Sequence, residues 1–115
     1  IYLWGGDPFS NFQIYNNTIY LDGNNMTNGT PAAVVMNGNN YSGINIRNNI
    51  FITSGTLPNL ISANNGSTST SNVLLQGNLY FSTTGNAKYV WGGTTYTSLS
   101  AWKAAATGQE MNGAT

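Results

Sequence analysis

Three acidic and three basic side chains carry all the formal charge of this 115-residue chain: Asp7, Asp22, Glu110, Arg47, Lys88 and Lys103. There is no His, which removes the commonest general base and the commonest transition-metal ligand. Glycoside hydrolysis needs two carboxylates about 5–10 Å apart. The turn-rich residues after Asp7 and Asp22 place these two at the ends of different strands, and Asp7-Pro8 reads as a plain turn, so they are not expected to form such a pair. Glu110 lies beyond the last predicted element and is expected in solvent. Arg47 is the one catalytic candidate: an Arg on an outward strand face can bind or deprotonate beside a uronate carboxylate. The competing reading makes it a solvated strand residue that discourages edge pairing. Asp22 with Asn24 and Asn25 is the one grouping that approaches a Ca²⁺ site, and it falls short of the six to eight oxygens that ion takes. No cofactor is expected.

Aromatic side chains outnumber the charged ones. Tyr15, Tyr20, Tyr41 and Tyr96 are the candidates to offer flat faces to sugar rings, with Tyr89 and Trp91 behind them and Asn amides as hydrogen-bond partners. Trp4, Trp91 and Trp102 read better as packing residues, because Trp4 and Trp91 share the repeated sequence Tyr-x-Trp-Gly-Gly. Asn16, Asn25, Asn28, Asn40 and Asn65 satisfy Asn-x-Ser/Thr, a pattern expected by chance in a chain so rich in Asn and Thr.

Only 5% of the residues are charged and the net charge is zero, against about 25% charged in an ordinary domain. So few cations cannot neutralise many phosphates, and nucleic acid is not an expected partner. No apolar run approaches the ~18 residues of a membrane span. Ile1-Tyr-Leu-Trp4 reads as a strand already under way and no signal peptide is visible, so the chain is expected to be a piece of something longer.

The elements that must position these residues come from a sentence written three times. Phe12-Gln-Ile-Tyr-Asn-Asn-Thr-Ile-Tyr20, Ile44-Asn-Ile-Arg-Asn-Asn-Ile-Phe-Ile52 and Val73-Leu-Leu-Gln-Gly-Asn-Leu-Tyr-Phe81 share alternating apolar residues, a bend and a second apolar run. Asn17, Asn49 and Asn78 occupy one repeat position, about 30 residues apart, a period that marks stacked repeat architectures. Stacking would set these three amides above one another as a hydrogen-bonded ladder, with Ile14, Ile46 and Leu75 in one inward row and Ile19, Phe51 and Tyr80 in another. Ala33 to Met36, Leu60 to Ala63 and Tyr89 to Trp91 supply third strands. After them, Leu99, Trp102 and Ala106 fall on one face of a short helix near 98–106, capped by Thr97 or Ser98 and stopped by Gly108. The outward Ile52 and Phe81 offer it one surface to cover, and the C-terminal end of the stack offers another.

The repeat resembles the right-handed parallel β-helix family that includes pectate-lyase-like proteins. The tail Ser98-Leu-Ser-Ala-Trp-Lys-Ala-Ala-Ala-Thr-Gly-Gln-Glu110 resembles the Ser-Leu-x-x-Trp…Thr-Gly-Gln-Asp/Glu segment near the end of many secreted bacterial β-helix proteins. The fold expected is therefore all-β: a right-handed parallel β-helix, a solenoid of about three coils over residues 1–96, with one short helix and a tail over 97–115 in the same domain. The resemblance implies an extracellular or cell-surface protein that acts on or holds polysaccharide. Its lyases use clustered acids to hold Ca²⁺ and an Arg or Lys as base, and no such motif can be carried onto this chain. Two functions stay open: a segment of a secreted lyase or glycosidase-like protein whose catalytic residues lie outside it, or a non-catalytic scaffold, adhesin or surface-structure protein. Exposed strand edges at both ends predict self-association or union with the rest of a longer chain.

Overall fold

The computed structural model describes residues 1–3, 8–38, 41–64, 70 and 72–112. Each sequence repeat places its strands in separate sheets. β1 (Tyr2–Leu3) and β2 (Phe9–Ser10) precede the first repeat, which holds β3 (Gln13–Tyr15), β4 (Thr18–Asp22) and β5 (Ala32–Met36). β6 (Tyr41–Ser42) leads into β7 (Ile44–Arg47), β8 (Ile50–Ser54) and β9 (Asn59–Ala63) of the second. The third holds β10 (Val73–Gln76), β11 (Leu79–Ser82) and β12 (Tyr89–Trp91), followed by β13 (Thr94–Tyr96) and the helix α1 (Leu99–Ala105).

Strands at the same repeat position lie side by side and parallel. β10-β7-β3 form one three-stranded sheet and β11-β8-β4 another. Their register sets Ile14 beside Ile46 and Leu75, and Ile19 beside Phe51 and Tyr80. Period-two alternation turns both rows into the core, where Ile46, Leu75 and Phe51 are completely buried. Asn16, Asn48 and Gly77 each take a left-handed backbone (φ 59°, 55° and 67°) between the two strands of a repeat. Asn tolerates that conformation through local amide hydrogen bonds, and Gly has no Cβ to oppose it. The first residue of each Asn-Asn or Gly-Asn pair thus makes the bend, which frees the second to turn inward.

The strand pairing overturns the expected right-handed parallel β-helix of three like coils. The described strands divide among short sheets of unequal size: two of three strands, one of two strands (β2-β6) and one of five. The five-stranded sheet, ordered β1-β5-β9-β12-β13, is mixed, because β13 runs antiparallel to β12. The cause is local. Gly92 and Gly93 both have positive φ (59° and 85°), the geometry of a two-residue hairpin turn, so the chain doubles back with Trp91 opposite Thr94 instead of travelling on.

Of the two expected positions, a side or the C-terminal end, helix α1 takes the end. Ser98 caps it by accepting the Ala101 N–H at 3.2 Å, and Gly108, with φ 85°, lies beyond the Ala106 that ends it. The helix leaves the outward sheet faces bare: Phe81 remains 52% exposed. It covers the end of the core instead. Trp102 is fully buried, stacks on Tyr89 with ring centroids 5.2 Å apart, and meets Tyr80 and Trp91 edge-on at 5.7 and 5.6 Å. These are residues of the third repeat, so the aromatic end of the core is roofed by the helix.

Trp102→Ala removes that roof and is expected to destabilise by about 3–5 kcal/mol. Phe81→Ala, on a bare face, should stay within roughly 1 kcal/mol. Denaturant midpoints of the two variants, compared with the parent, check this docking; equal shifts would place the helix elsewhere.

Candidate functional site

Two places gather polar chemistry, one buried and one exposed. The buried one begins with the amides of Asn17, Asn49 and Asn78. Asn17 donates both its backbone N–H and its side-chain Nδ2 to Asn49 Oδ1, each at 3.0 Å. Asn49 does the same to Asn78 Oδ1, at 2.9 and 3.0 Å. The second hydrogen of each Nδ2 is used as well: Asn17 donates to Tyr15 O, Asn49 to Arg47 O and Ile14 O, and Asn78 to Ile46 O. Amides that donate twice in the same direction give the row a polarity, running from the first repeat towards the third.

A carboxylate ends the row. Asn78 donates its backbone N–H to Glu110 Oε2 and its Nδ2 to Glu110 Oε1, at 3.0 and 2.5 Å, and Tyr80 Oη donates to Oε1 at 2.5 Å. Glu110 is therefore not in solvent but completely buried, which corrects the sequence reading. The signal was present: Glu110 follows Asn78 by 32 residues, the separation of Asn17 from Asn49. Glu110 takes the position of a fourth rung, with an acid in place of an amide. Its left-handed backbone (φ 48°) is uncommon for a residue with a Cβ and is held by its N–H donating to Leu75 O at 2.7 Å. Gln109 completes the closure. Its Oε1 accepts from Leu75 N at 2.7 Å and its Nε2 donates to Val73 O at 2.9 Å, so one side-chain amide serves the edge of β10 as a neighbouring peptide group would.

Burial pushes the Glu110 carboxyl above its ordinary value, outweighing the opposing pull of the Asn78 and Tyr80 donors and of Lys103. Burial and then the nearby Glu110 raise Tyr80 well above the usual phenol range and push Tyr89 up to about 12. A raised carboxyl beside two phenols has the make-up of a general acid. It has no access to a substrate, because the side chain is completely buried. Among the described residues, the Tyr89 hydroxyl and Trp102 Nε1 are buried without a hydrogen-bond partner.

The exposed place is the outward face of the β10-β7-β3 sheet. Register sets Tyr15, Arg47 and Gln76 in one row and Gln13, Asn45 and Leu74 in the next. Tyr15 is 51% exposed, and the Arg47 guanidinium carbon lies 5.7 Å from its ring centroid, a cation–π contact. The other aromatic candidates are not brought to this face. Tyr20, also exposed, stands on β4 in a row with Ile52 and Phe81. Tyr96 is half-buried on β13 opposite Tyr89. Tyr41 is buried on β6 and cannot offer its ring to a ligand.

Asp22 and Lys88 have structural tasks. Asp22 accepts from Asn24 N at 3.0 Å and Ser54 Oγ at 2.7 Å, and these bonds hold its carboxyl below the usual range. Lys88 Nζ donates to the carbonyls of Thr56 and Leu57. Lys103 lines an open groove beside α1 with Ala87, Tyr89, Ser98, Leu99 and Ser100. No cluster of three His, Cys, Asp or Glu side chains exists among the described residues, and Asp7 and Trp4 lie outside them, as do Asn40 and Asn65. No described helix is long and apolar enough to cross a membrane. Comparison with known proteins finds no matching family model, curated protein or solved structure.

Asn49→Ala strips an acceptor from Asn17 and donors from Asn78, Ile14 and Arg47, at about 1–3 kcal/mol for each buried group left unpaired. Asn28→Ala, at an exposed loop position, should be neutral within ~0.5 kcal/mol. Denaturation midpoints measured side by side separate the two.

A second expectation follows from Glu110. Its folded pKa is raised, so its contribution to stability is complete below the ordinary value of 4.5 and is lost as pH rises through the higher folded value. Asp22 is held low and acts only below 3.8. Melting temperature should therefore fall as pH climbs from 4.5 through the raised folded value, and Glu110→Gln should flatten that slope. A parent whose melting temperature is flat or rising across this range contradicts the assignment.

Proposed function

We propose that this chain is a non-catalytic, glycan-holding segment of a secreted polysaccharide-handling protein, with the chemistry of that protein carried elsewhere. The observation behind the proposal is the exposed Tyr15–Arg47 pair, set among the amides of Gln13, Asn45 and Gln76 on one regular sheet face. A phenol ring stacks on the C–H face of a sugar. A guanidinium pairs bidentately with a uronate carboxylate, and amides bond to hydroxyls. A uronic-acid polymer meets all three demands. Among the described carboxylates, Asp22 is tied into a turn and Glu110 into the core, which leaves no acid to cleave a glycosidic bond. The tail's resemblance to secreted bacterial proteins supports the same class of ligand and an extracellular location.

Affinity electrophoresis and calorimetry with polygalacturonate, alginate and neutral xylan test this. Binding to the two acidic polymers should exceed binding to xylan, and Tyr15→Ala or Arg47→Ala should each weaken it by about tenfold, the worth of one cation–π or charge-assisted contact. No reducing or unsaturated ends should appear. Release of such ends, abolished by Arg47→Ala, would make the chain an enzyme. No binding to either acidic polymer would leave a plain scaffold.

A further inference from the structure

The two ends of this molecule are built differently. At the third-repeat end the core, β10 and β12 are covered, while β11 stays the outermost strand of its sheet. Trp102 covers the aromatic core, β13 pairs along β12, and Gln109 and Glu110 satisfy β10 and the last Asn. At the first-repeat end, β1, β3 and β4 are the outermost strands of their sheets. The inward residues Ile14, Ile19 and Leu21 are half-buried there, while their row partners Ile46, Phe51 and Thr53 are sealed. Ile50 N donates to Asn17 O, so parallel alternation turns the N–H and C=O groups of Thr18 and Tyr20 away from β8, towards the open side. No described residue donates to Asn17 Oδ1, the acceptor that Asn49 and Asn78 each use twice.

We infer that this end is an interaction surface for one further layer of polypeptide, laid parallel to β3 and β4. Its inward positions are apolar, and an Asn stands over Asn17. The polarity of the amide row selects the occupant. Asn17 Oδ1 asks for two donors, a backbone N–H and an Nδ2, from one residue, which is what each existing rung supplies to the next. A second copy does not supply them. Head to tail, it presents the Glu110 carboxylate, an acceptor facing an acceptor, and a core already roofed by Trp102. Head to head, it presents a second Asn17 Oδ1 on antiparallel strands. The matching chemistry is that of this chain's own middle repeat: alternating apolar residues, then Asn-Asn, then a second apolar run. This inference does not rest on the glycan reading, which concerns the outward face.

The test uses the full chain and a fluorescent peptide copying residues 44–54, followed by anisotropy. Saturable binding is expected. The peptide carrying Asn49→Ala should bind about tenfold more weakly, the worth of the lost amide pair. In the full chain, Tyr20→Pro blocks the outward edge of β4 without touching its bonds to β8, and should abolish binding while the far-UV spectrum stays that of the parent. Ile19→Lys, which puts a charge in the open end, should do the same. Absence of saturable binding overturns the inference. So does equal affinity for the Ala peptide, or a Tyr20→Pro chain that binds like the parent. Concentration-dependent oligomers of the full chain that exclude the peptide would assign the surface to a second copy and overturn it as well.

Discussion

A one-way relay of side-chain amides runs through this protein, from Asn17 to Asn49 to Asn78 and into the carboxylate of Glu110. Everything near it is arranged to keep it intact. A buried amide that loses a partner pays the full cost of desolvation, so a row of them tolerates only one register between repeats. Sliding a strand by one residue would carry each Asn outward and each core residue with it. The relay thus does for register what apolar rows alone do loosely. The left-handed residues just before each rung, Asn16, Asn48 and Gly77, are the backbone condition for it.

A row of donors that all point one way must end on something that only accepts. The carboxyl oxygens of Glu110 have that character, and the two of them meet three donors. An Asn there would bring its own donors with no further rung to receive them. The cost of using an acid is its burial, and the raised titration of Glu110 is that cost made visible. Gln109 solves the same problem for the neighbouring strand with a side-chain amide in place of a peptide group. At this end β10 and the last Asn are met by two consecutive residues, and the aromatic core by one tryptophan.

The scarcity of charge follows from this economy. With 5% charged residues, polar satisfaction falls to Asn, Ser, Thr and Gln, and the few ions are assigned. Asp22 ties a turn through Ser54 and Asn24, Lys88 gathers two carbonyls, and Glu110 ends the relay. Arg47 faces outward, over Tyr15. The outward face of its sheet is where the molecule has polar and aromatic groups to spare for a ligand.

Local sequence determined a good deal: where strands begin and end, which residues alternate inward, where the chain bends, and that Asn17, Asn49 and Asn78 share a position. These are short-range properties, set by period-two alternation and by the few residues that accept positive φ. The Gly92-Gly93 hairpin belongs with them, since two adjacent glycines before Thr94–Tyr96 were a readable turn signal, and it alone suffices to break the expected uniform parallel architecture. Tertiary structure decided what depends on contact between distant segments. Glu110 looked like a solvated tail residue because it lies past the helix, after Thr107-Gly-Gln109. Only the arrival of the tail against Asn78 and Tyr80 gives its charge partners and takes away its water. Tyr41 and Tyr15 are the same residue type in similar polar surroundings along the chain, yet one is sealed and the other open. Which side of a strand meets the core is written locally, but which strand has a neighbour beyond it is not, and that is what separates the sealed Ile46 and Phe51 from the half-buried Ile14 and Ile19.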